Sequence, residues 1–155
     1  MPTTLRDEIR QTRAFTSVEQ EAHLNIVRTA LELGAHLDDV LKPAGISVAQ
    51  FNVLRILRGA QPAGLCRGEL GERLLGRMPD VTRLLDRMEK QALVARQRET
   101  ADRRQVRTRI TAQGRRVLQN VDAKVATEHE RRLGHLGPRE LRTLITLLTK
   151  VRQSH

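Results

Sequence analysis

Three observations predict a mainly α-helical fold with a small β-wing. Apolar residues recur every three or four positions in several long segments, which is the spacing of amphipathic helices. Between Val94 and Ile110 this spacing changes to a period of two, which is typical of paired strands. Positive charge concentrates in the same region, because residues 76–116 hold twelve Lys and Arg against five Asp and Glu, or +7 of the net +10.

Length and composition restrict the class of protein. With 155 residues, the chain is predicted to form a single domain, 1–155. Its 39% apolar and 30% charged content is that of a soluble globular protein. It has neither an apolar signal core near the N-terminus nor an apolar run of membrane-spanning length, so we expect a cytoplasmic protein without membrane contacts. The lone Cys66 excludes an intrachain disulfide and a cysteine zinc cluster.

Duplex DNA is the favoured partner. Arginine dominates the basic residues, an excess that suits phosphate recognition but that genomic base composition also produces. Clustered positive charge favours phosphate binding through counterion release. Phe15 and Phe51 are the only aromatic residues, whereas proteins that read single strands usually stack bases on aromatic side chains.

The first third of the chain is predicted to contain a short helix within residues 4–15 and a long helix from Ser17. Ser17 and Gln20 have capping-box spacing. A helix of about 25 residues would be nearly 38 Å long, more than a small domain needs, so the surplus predicts a dimer interface. The apolar stripe of this helix comprises Leu24, Val27, Ala30, Leu31, Gly34, Leu37 and Leu41.

The middle of the chain is predicted to begin a helix-turn-helix. Ser47 and Gln50 form a second capping box, which opens a helix that ends at Gly59. A turn at 61–64 and a very short strand at 65–66 precede the first helix of the pair, 69–75. The predicted inward residues are Phe51, Leu54, Leu57, Leu70 and Leu74.

The second helix of the pair is predicted over Asp80–Val94, after a link formed by Gly76, Arg77 and Met78. Pro79 suits its first turn, where a missing N–H has no intrahelical partner. One face is apolar, with Val81, Leu84, Leu85 and Met88, and the opposite face is polar, with Thr82, Arg83, Asp86, Arg87 and Lys90.

A two-stranded wing is predicted to follow in residues 95–110. Val106, Thr108 and Ile110 point one way and Arg107 and Arg109 the other, with 94–99 as the partner strand. A polar turn at 100–103 joins the strands. A helix with a polar outer face, followed by a basic hairpin, is the arrangement that a winged helix-turn-helix uses to hold duplex DNA. We therefore assign 47–110 to DNA binding.

The C-terminal segment is predicted to form two helices. Thr111 caps the first, which contains Val117, Leu118, Val121 and Val125 and runs towards Leu136. The second follows Gly137-Pro138. Its apolar face lacks a partner in the winged module, so we expect segments 1–45 and 111–155 to be dimerisation helices that pack across a two-fold axis. That face comprises Leu141, Leu144, Ile145, Leu148 and Val151.

Residues 80–114 resemble the MarR family of bacterial transcriptional regulators. The motifs that carry the resemblance are Thr82-Arg83, Asp86-Arg87-Met88-Glu89, Leu93-Val94, Arg96, Asp102-Arg103-Arg104 and Thr111-x-x-Gly114. Residues 47–51, Leu54, Leu57 and the last helix extend it over about two-thirds of the chain. The resemblance implies a homodimeric winged helix-turn-helix regulator, usually a repressor, that a small molecule or an oxidant releases from DNA.

The resemblance also implies roles for individual residues. Asp80, Thr82, Arg83 and Arg87 would lie on the major-groove side. Asp102 would pair with and orient Arg104, and either Arg103 or Arg104 would enter the minor groove. Arg77, Lys90 and Arg107 complete the predicted DNA-contact set; Arg107 is expected to contact phosphates, as are Arg109, Arg115 and Arg116.

The family pattern has one clear departure in this chain. Ala92 stands where many members have glycine after the recognition helix. If that position requires a left-handed backbone, alanine costs about 1–2 kcal/mol there. The departure affects the expected end of the helix and not the fold.

Several candidate sites have a structural interpretation as well. The polar helix face also fits a salt-bridged solvent surface, since Arg83 and Asp86 have neighbour spacing, but the basic wing beside it favours DNA. Cys66, near Arg67, could sense oxidants, but we favour a small packed residue. His23 and Asp38 are candidates for an effector pocket, although about 22 Å of helix separates them, so they cannot form one site.

Neither an enzyme nor a metal or cofactor site is predicted. The chain lacks a phosphate-binding glycine loop, G-x-S-x-G and H-E-x-x-H, and its histidines lack paired ligand spacing. The favoured function is a dimeric regulator that reads a pseudo-palindromic operator with two helices about 34 Å apart. The alternatives are a non-specific architectural DNA-binding protein and a dimer whose basic face binds an acidic protein.

Overall fold

The computed structural model describes residues 3–77 and 80–153. These residues form a mainly α-helical protein with a three-stranded antiparallel sheet, which confirms the predicted fold class. They divide into two compact units, one ending at His36 and the other beginning at Leu37. Within the described ranges, no helix has the length and apolarity needed to cross a bilayer.

The first unit holds helix α1, Leu5–Glu8, and most of helix α2, Val18–Leu41. The predicted helix in 4–15 is shorter than expected, because Arg10 adopts a left-handed φ of 51° that ends it. Only one of the two hydrogen bonds of the predicted capping box of α2 forms. Ser17 Oγ accepts the Gln20 N–H at 3.1 Å, but the Gln20 side chain accepts the N–H of Thr16 and not that of Ser17.

The second unit opens with the end of α2, a 3₁₀ turn at Lys42–Ala44 and helix α3, Val48–Gly59. The predicted capping box at Ser47 and Gln50 is confirmed in both directions. The inward residues of α3 are buried as predicted, in one core with the helices that follow. This core includes Phe51, Leu54, Leu57, Leu70, Leu84, Met88 and Leu118.

Helices α4, Arg67–Arg73, and α5, Val81–Lys90, form the helix-turn-helix. Both boundaries of α4 were misplaced by two residues, since extended backbone begins at Leu74. The predicted extension of α5 to Val94 is also wrong, because Ala92 has a left-handed φ of 57° and turns the chain out of the helix. The interpretations of Met78 and Pro79 lie outside the described residues.

The sheet has the order β1-β3-β2, with β1 at Leu65–Cys66, β2 at Val94–Arg98 and β3 at Val106–Ile110. The predicted strands and their alternation are confirmed for Thr108 and Ile110, which are buried. Val106 is exposed, because it lies at the far end of the wing, beyond the core.

Gly64 allows β1 to approach β3. Its φ is 71°, and a Cβ there would lie 2.5 Å from the carbonyl oxygen of Thr108, so a larger residue does not fit.

Helix α6, Ala112–Leu133, starts against the turn that follows α5. Its N-cap, Thr111, accepts the Gly114 N–H as predicted, donates its hydroxyl to the Ala92 carbonyl at 2.6 Å and donates its N–H to Leu93 at 3.1 Å. A Cβ on Gly114 would collide with the Leu93 carbonyl oxygen. The start of α6 is therefore fixed to the end of the helix-turn-helix.

The chain ends in helix α7, Pro138–Arg152. Helix α6 ends at Leu133 and not near Leu136 as predicted, because Gly134 caps it. The apolar residues of α7 lie largely on its surface in the single chain; Ile145 is 62% exposed and Leu147 56%.

Candidate nucleic-acid interface

Helix α5 separates its apolar and polar side chains by face. Leu84, Leu85 and Met88 are buried in the core of the second unit. The predicted DNA-facing residues of this helix are exposed: Asp80, Thr82, Arg83, Arg87 and Lys90. Among the described residues, Arg87 and Lys90 form no ion pair, so their charges are available at the surface.

Asp80 caps α5 and holds Arg83 at the same time. Its Oδ1 accepts the Arg83 backbone N–H at 3.1 Å, and its Oδ2 lies 3.0 Å from Arg83 Nε. The Arg83 side chain is nevertheless 80% exposed. The structure thus places these two predicted residues together at the start of the helix.

Thr82 has a partner that sequence reasoning missed. Arg67, at the first position of α4, donates from Nη1 to Thr82 Oγ1 at 3.2 Å. Arg67 is exposed, and it extends the basic surface from α5 onto α4. Local spacing carried no signal for this pair, because tertiary packing of two helices brings it together.

Asp86, predicted on the outer face, is 46% exposed but is held in an ion pair. Together with Glu89 it binds Arg96 of β2, whose Nη2 lies 2.6 Å from a carboxylate oxygen of each. The hydrogen bonds that Arg96 donates hold the pKa of Glu89 below its ordinary value, and their acceptance by Glu89 and Asp86 raises the pKa of Arg96. This cluster joins the wing to α5.

The wing presents two exposed arginines, Arg103 and Arg104, at its turn. Asp102 was expected to orient Arg104 by pairing with it. The observed contact differs, because Asp102 Oδ1 accepts the backbone N–H of Arg104 at 3.0 Å and so shapes the turn. Across the turn, the Glu99 N–H donates to the Gln105 carbonyl at 2.9 Å, which closes the hairpin.

Arg107 is held within the protein, although it was predicted to contact phosphate. Its Nε lies 2.7 Å from Glu99 and its Nη1 3.2 Å from Glu69, and only 23% of the side chain is exposed. Glu69 also accepts the Cys66 N–H at 2.8 Å; that bond, followed by the charge of Arg107, lowers the pKa of Glu69. Arg107 therefore links the wing to the start of α4 through two ion pairs.

An open cleft of about 740 Å³ lies between α4, α5 and β3. Its charged lining is mainly cationic, with Glu69 as the acidic exception. The arginines around it are Arg67, Arg96, Arg104 and Arg107. Arg77 is exposed in the link before α5, and Cys66 is half-buried at the edge of the cleft.

The two candidate effector residues have separate surroundings. His23 is exposed on α2. Asp38 Oδ1 accepts the Val48 N–H at 3.1 Å and so stabilises the start of α3, beside a shallow hollow of about 470 Å³. The role of Asp38 in this structure is therefore to stabilise the start of α3.

Known proteins with similar sequences and structures are transcriptional regulators. A sequence profile described as the MarR family matches residues 46–106. A MarR transcription factor from Planctomyces limnophilus is 37% identical, with 88% of this chain and 98% of that chain covered and a TM-score of 0.67. A mutant MarR from E. coli, complexed with operator DNA, is 27% identical, with 96% and 99% covered and a TM-score of 0.75.

A third relative is YkoM from Bacillus subtilis (strain 168), described as an HTH-type transcriptional regulator. It is 28% identical over 141 residues, which are 88% of this chain and 90% of YkoM. The match to the Planctomyces protein extends over nearly all of that chain, and the profile match spans the helix-turn-helix and most of the wing. The protein is a member of the MarR family of transcriptional regulators.

Proposed function

We propose that the protein is a dimeric, sequence-specific DNA-binding regulator, in its simplest form a repressor, in which α5 enters the major groove and the wing the minor groove. One observation carries the proposal: the residues of α5 that are not needed for packing are cationic or polar and lie beside an exposed basic wing. This is the division of surfaces that a winged helix-turn-helix needs for contact with adjacent grooves.

The contacts of each residue suggest its task. Thr82, Arg83 and Arg87 project from the reading face of α5, while Arg77 and Lys90 lie exposed near its two ends and suit phosphates. Arg103 and Arg104 supply the minor-groove charge. Arg107, Asp102 and Arg96 position the wing through the contacts described above.

Dimer formation is supported by the unpartnered apolar surface of the single chain. Helix α7 exposes Ile145 and Leu147, and α2 exposes Leu31, which is 69% accessible. Burial of such residues contributes roughly 25 cal/mol for each Å² removed from water. A two-fold dimer would place two α5 helices about 34 Å apart. This distance is one helical turn of B-form DNA, so the two helices would meet the two half-sites of an inverted repeat.

The relative from E. coli supports DNA as the partner, since it has been complexed with operator DNA and covers nearly all of this chain. We extend the proposal to release by a small molecule or an oxidant. Release would shift the dimer towards a geometry with a different separation of the α5 helices, without unfolding it. His23, Asp38 and Cys66 are the residues to examine first.

The first test is competition between an operator-like inverted repeat and random duplex of equal length, at a fixed salt concentration. We expect the repeat, selected from a random pool by the purified protein, to bind at least about 10³-fold more tightly. Equal affinity would favour an architectural DNA-binding protein. Absence of duplex binding at low salt would favour an acidic protein partner.

The wing has its own test. The double change Arg103→Ala and Arg104→Ala should weaken operator binding and reduce its salt dependence, because two cations leave the interface. A matched pair, Arg139→Ala and Arg142→Ala, removes the same charge from exposed positions on α7. If both pairs have equal effects on operator affinity, the wing does not contact DNA.

A further inference from the structure

At the start of α5, a carboxylate binds one of the exposed arginines of the predicted DNA-facing surface. Asp80 uses one oxygen for the Arg83 backbone N–H and the other for Arg83 Nε, at 3.1 and 3.0 Å. A surface arginine normally samples many rotamers, and ordering it on binding costs conformational entropy. The contact between Asp80 Oδ2 and Arg83 Nε reduces that cost, because it holds the side chain against the start of its own helix.

The contact also decides which donors remain. A guanidinium has one N–H at Nε and two at each Nη. Because Asp80 occupies the Nε side, Arg83 presents the Nη1 and Nη2 end to any partner. Two parallel donors fit the O6 and N7 acceptors of guanine, whereas adenine offers one acceptor beside an amino group that would oppose an N–H.

We infer that Asp80 is a positioning residue that directs Arg83 end-on to a guanine, so that each operator half-site contains a guanine at the position Arg83 faces. The inference rests on the proposed DNA-binding function and adds to it a base identity and a role for Asp80. Asp80 acts through Arg83 and makes no base contact of its own.

The charge of Asp80 points the same way. It is an exposed carboxylate at the start of a helix whose outer face is otherwise cationic or neutral, apart from Asp86 and Glu89, which are paired with Arg96. Near phosphates a negative charge weakens binding to every sequence, because like charges repel. A helix cap alone does not need that charge, since asparagine and serine cap about equally well. Asp80 thus lowers the affinity for DNA of any sequence and raises the discrimination between guanine and other bases.

The test compares Asp80→Asn with the unaltered protein. Asparagine retains the cap on the Arg83 N–H, so helix α5 should form, as circular dichroism and the unfolding midpoint would show. Its neutral amide binds the Arg83 Nε more weakly. Duplexes selected from a random pool would identify the operator, and titration of its single-base variants would give the preference at each position.

For the unaltered protein we expect one guanine per half-site to be preferred over other bases by about 5- to 150-fold, the range of a good bidentate contact. In Arg83→Ala that preference should disappear while others persist. In Asp80→Asn the same preference should fall, while affinity for random duplex rises. Glu72→Gln is the matched control: it removes one exposed negative charge from α4 and should leave the guanine preference intact.

Two results would overturn the inference. Full guanine preference in Asp80→Asn would mean that Asp80 is only a helix cap. An unchanged set of preferences in Arg83→Ala would mean that Arg83 reads no base. If the unaltered protein instead binds operator and random duplex equally, the proposed regulatory function fails, and the inference fails with it.

Discussion

At the residue scale, Ala92 shows how one backbone angle sets the end of the recognition helix. Its φ of 57° lies in the left-handed region, where alanine is strained and glycine is not. The sequence predicted this cost, because the family pattern has glycine at the position. The Ala92 carbonyl accepts the Thr111 hydroxyl, so the strained geometry is held by its surroundings.

Ala92→Gly should therefore stabilise the protein. Relief of left-handed strain exceeds the added flexibility of glycine in the unfolded chain, and we expect a gain of about 0.5–1 kcal/mol. Urea unfolding followed by circular dichroism would measure it. The control is Ala123→Gly, at an exposed helical position of α6, which should destabilise by about 1 kcal/mol. A loss of stability in both variants would contradict the strain at position 92.

At the element scale, the wing is attached to α5 by charge as well as by backbone pairing. Arg96 binds Asp86 and Glu89, and Arg107 binds Glu69 and Glu99. Local patterns predicted the strands and their alternation. They did not predict these partners, because the acids come from other elements and meet the arginines only after folding.

The attachment should depend on pH. Because Arg96 lowers the folded pKa of Glu89, the stabilisation is fully present above the ordinary carboxyl pKa of 4.5 and is lost as pH falls through the lower folded value. Unfolding midpoints between pH 7 and pH 3 should show a smaller acid loss in Glu89→Gln than in the unaltered protein. Equal pH dependence in the two proteins would mean that Glu89 contributes nothing to it.

Element boundaries illustrate what local sequence can determine. The caps at Ser47 and Thr111 were predicted correctly, because side chain and backbone partner lie three residues apart. Val94 was assigned both to the end of the helix and to the strand 94–99, because apolar spacing continues through it, and only the strand assignment is correct. Its membership of β2 depends on pairing with Ile110, sixteen residues later.

At the scale of the whole molecule, the exposed apolar face of α7 leads to the clearest test of assembly. Leu144→Asp with Ile145→Asp should convert a dimer to monomers, because two buried charges without partners oppose association. Sedimentation at micromolar concentration would detect the change, and circular dichroism should retain the helical content. If the altered protein still sediments as the unaltered one does, this face is not the dimer interface.

The contacts between Thr111 and the turn at Ala92–Leu93 have a mechanical consequence. Because side chain and backbone bonds join the N-cap of α6 to the turn that follows α5, any tilt of α6 would also change the direction of α5. A small change in the tilt of the 22-residue helix α6 would thus be transmitted to α5 through the contact at Leu93. The Thr111 amide proton is bonded across this joint to the Leu93 carbonyl, and the Leu93 amide proton is bonded to the Met88 carbonyl at the end of α5; the two should exchange with deuterium at a common rate.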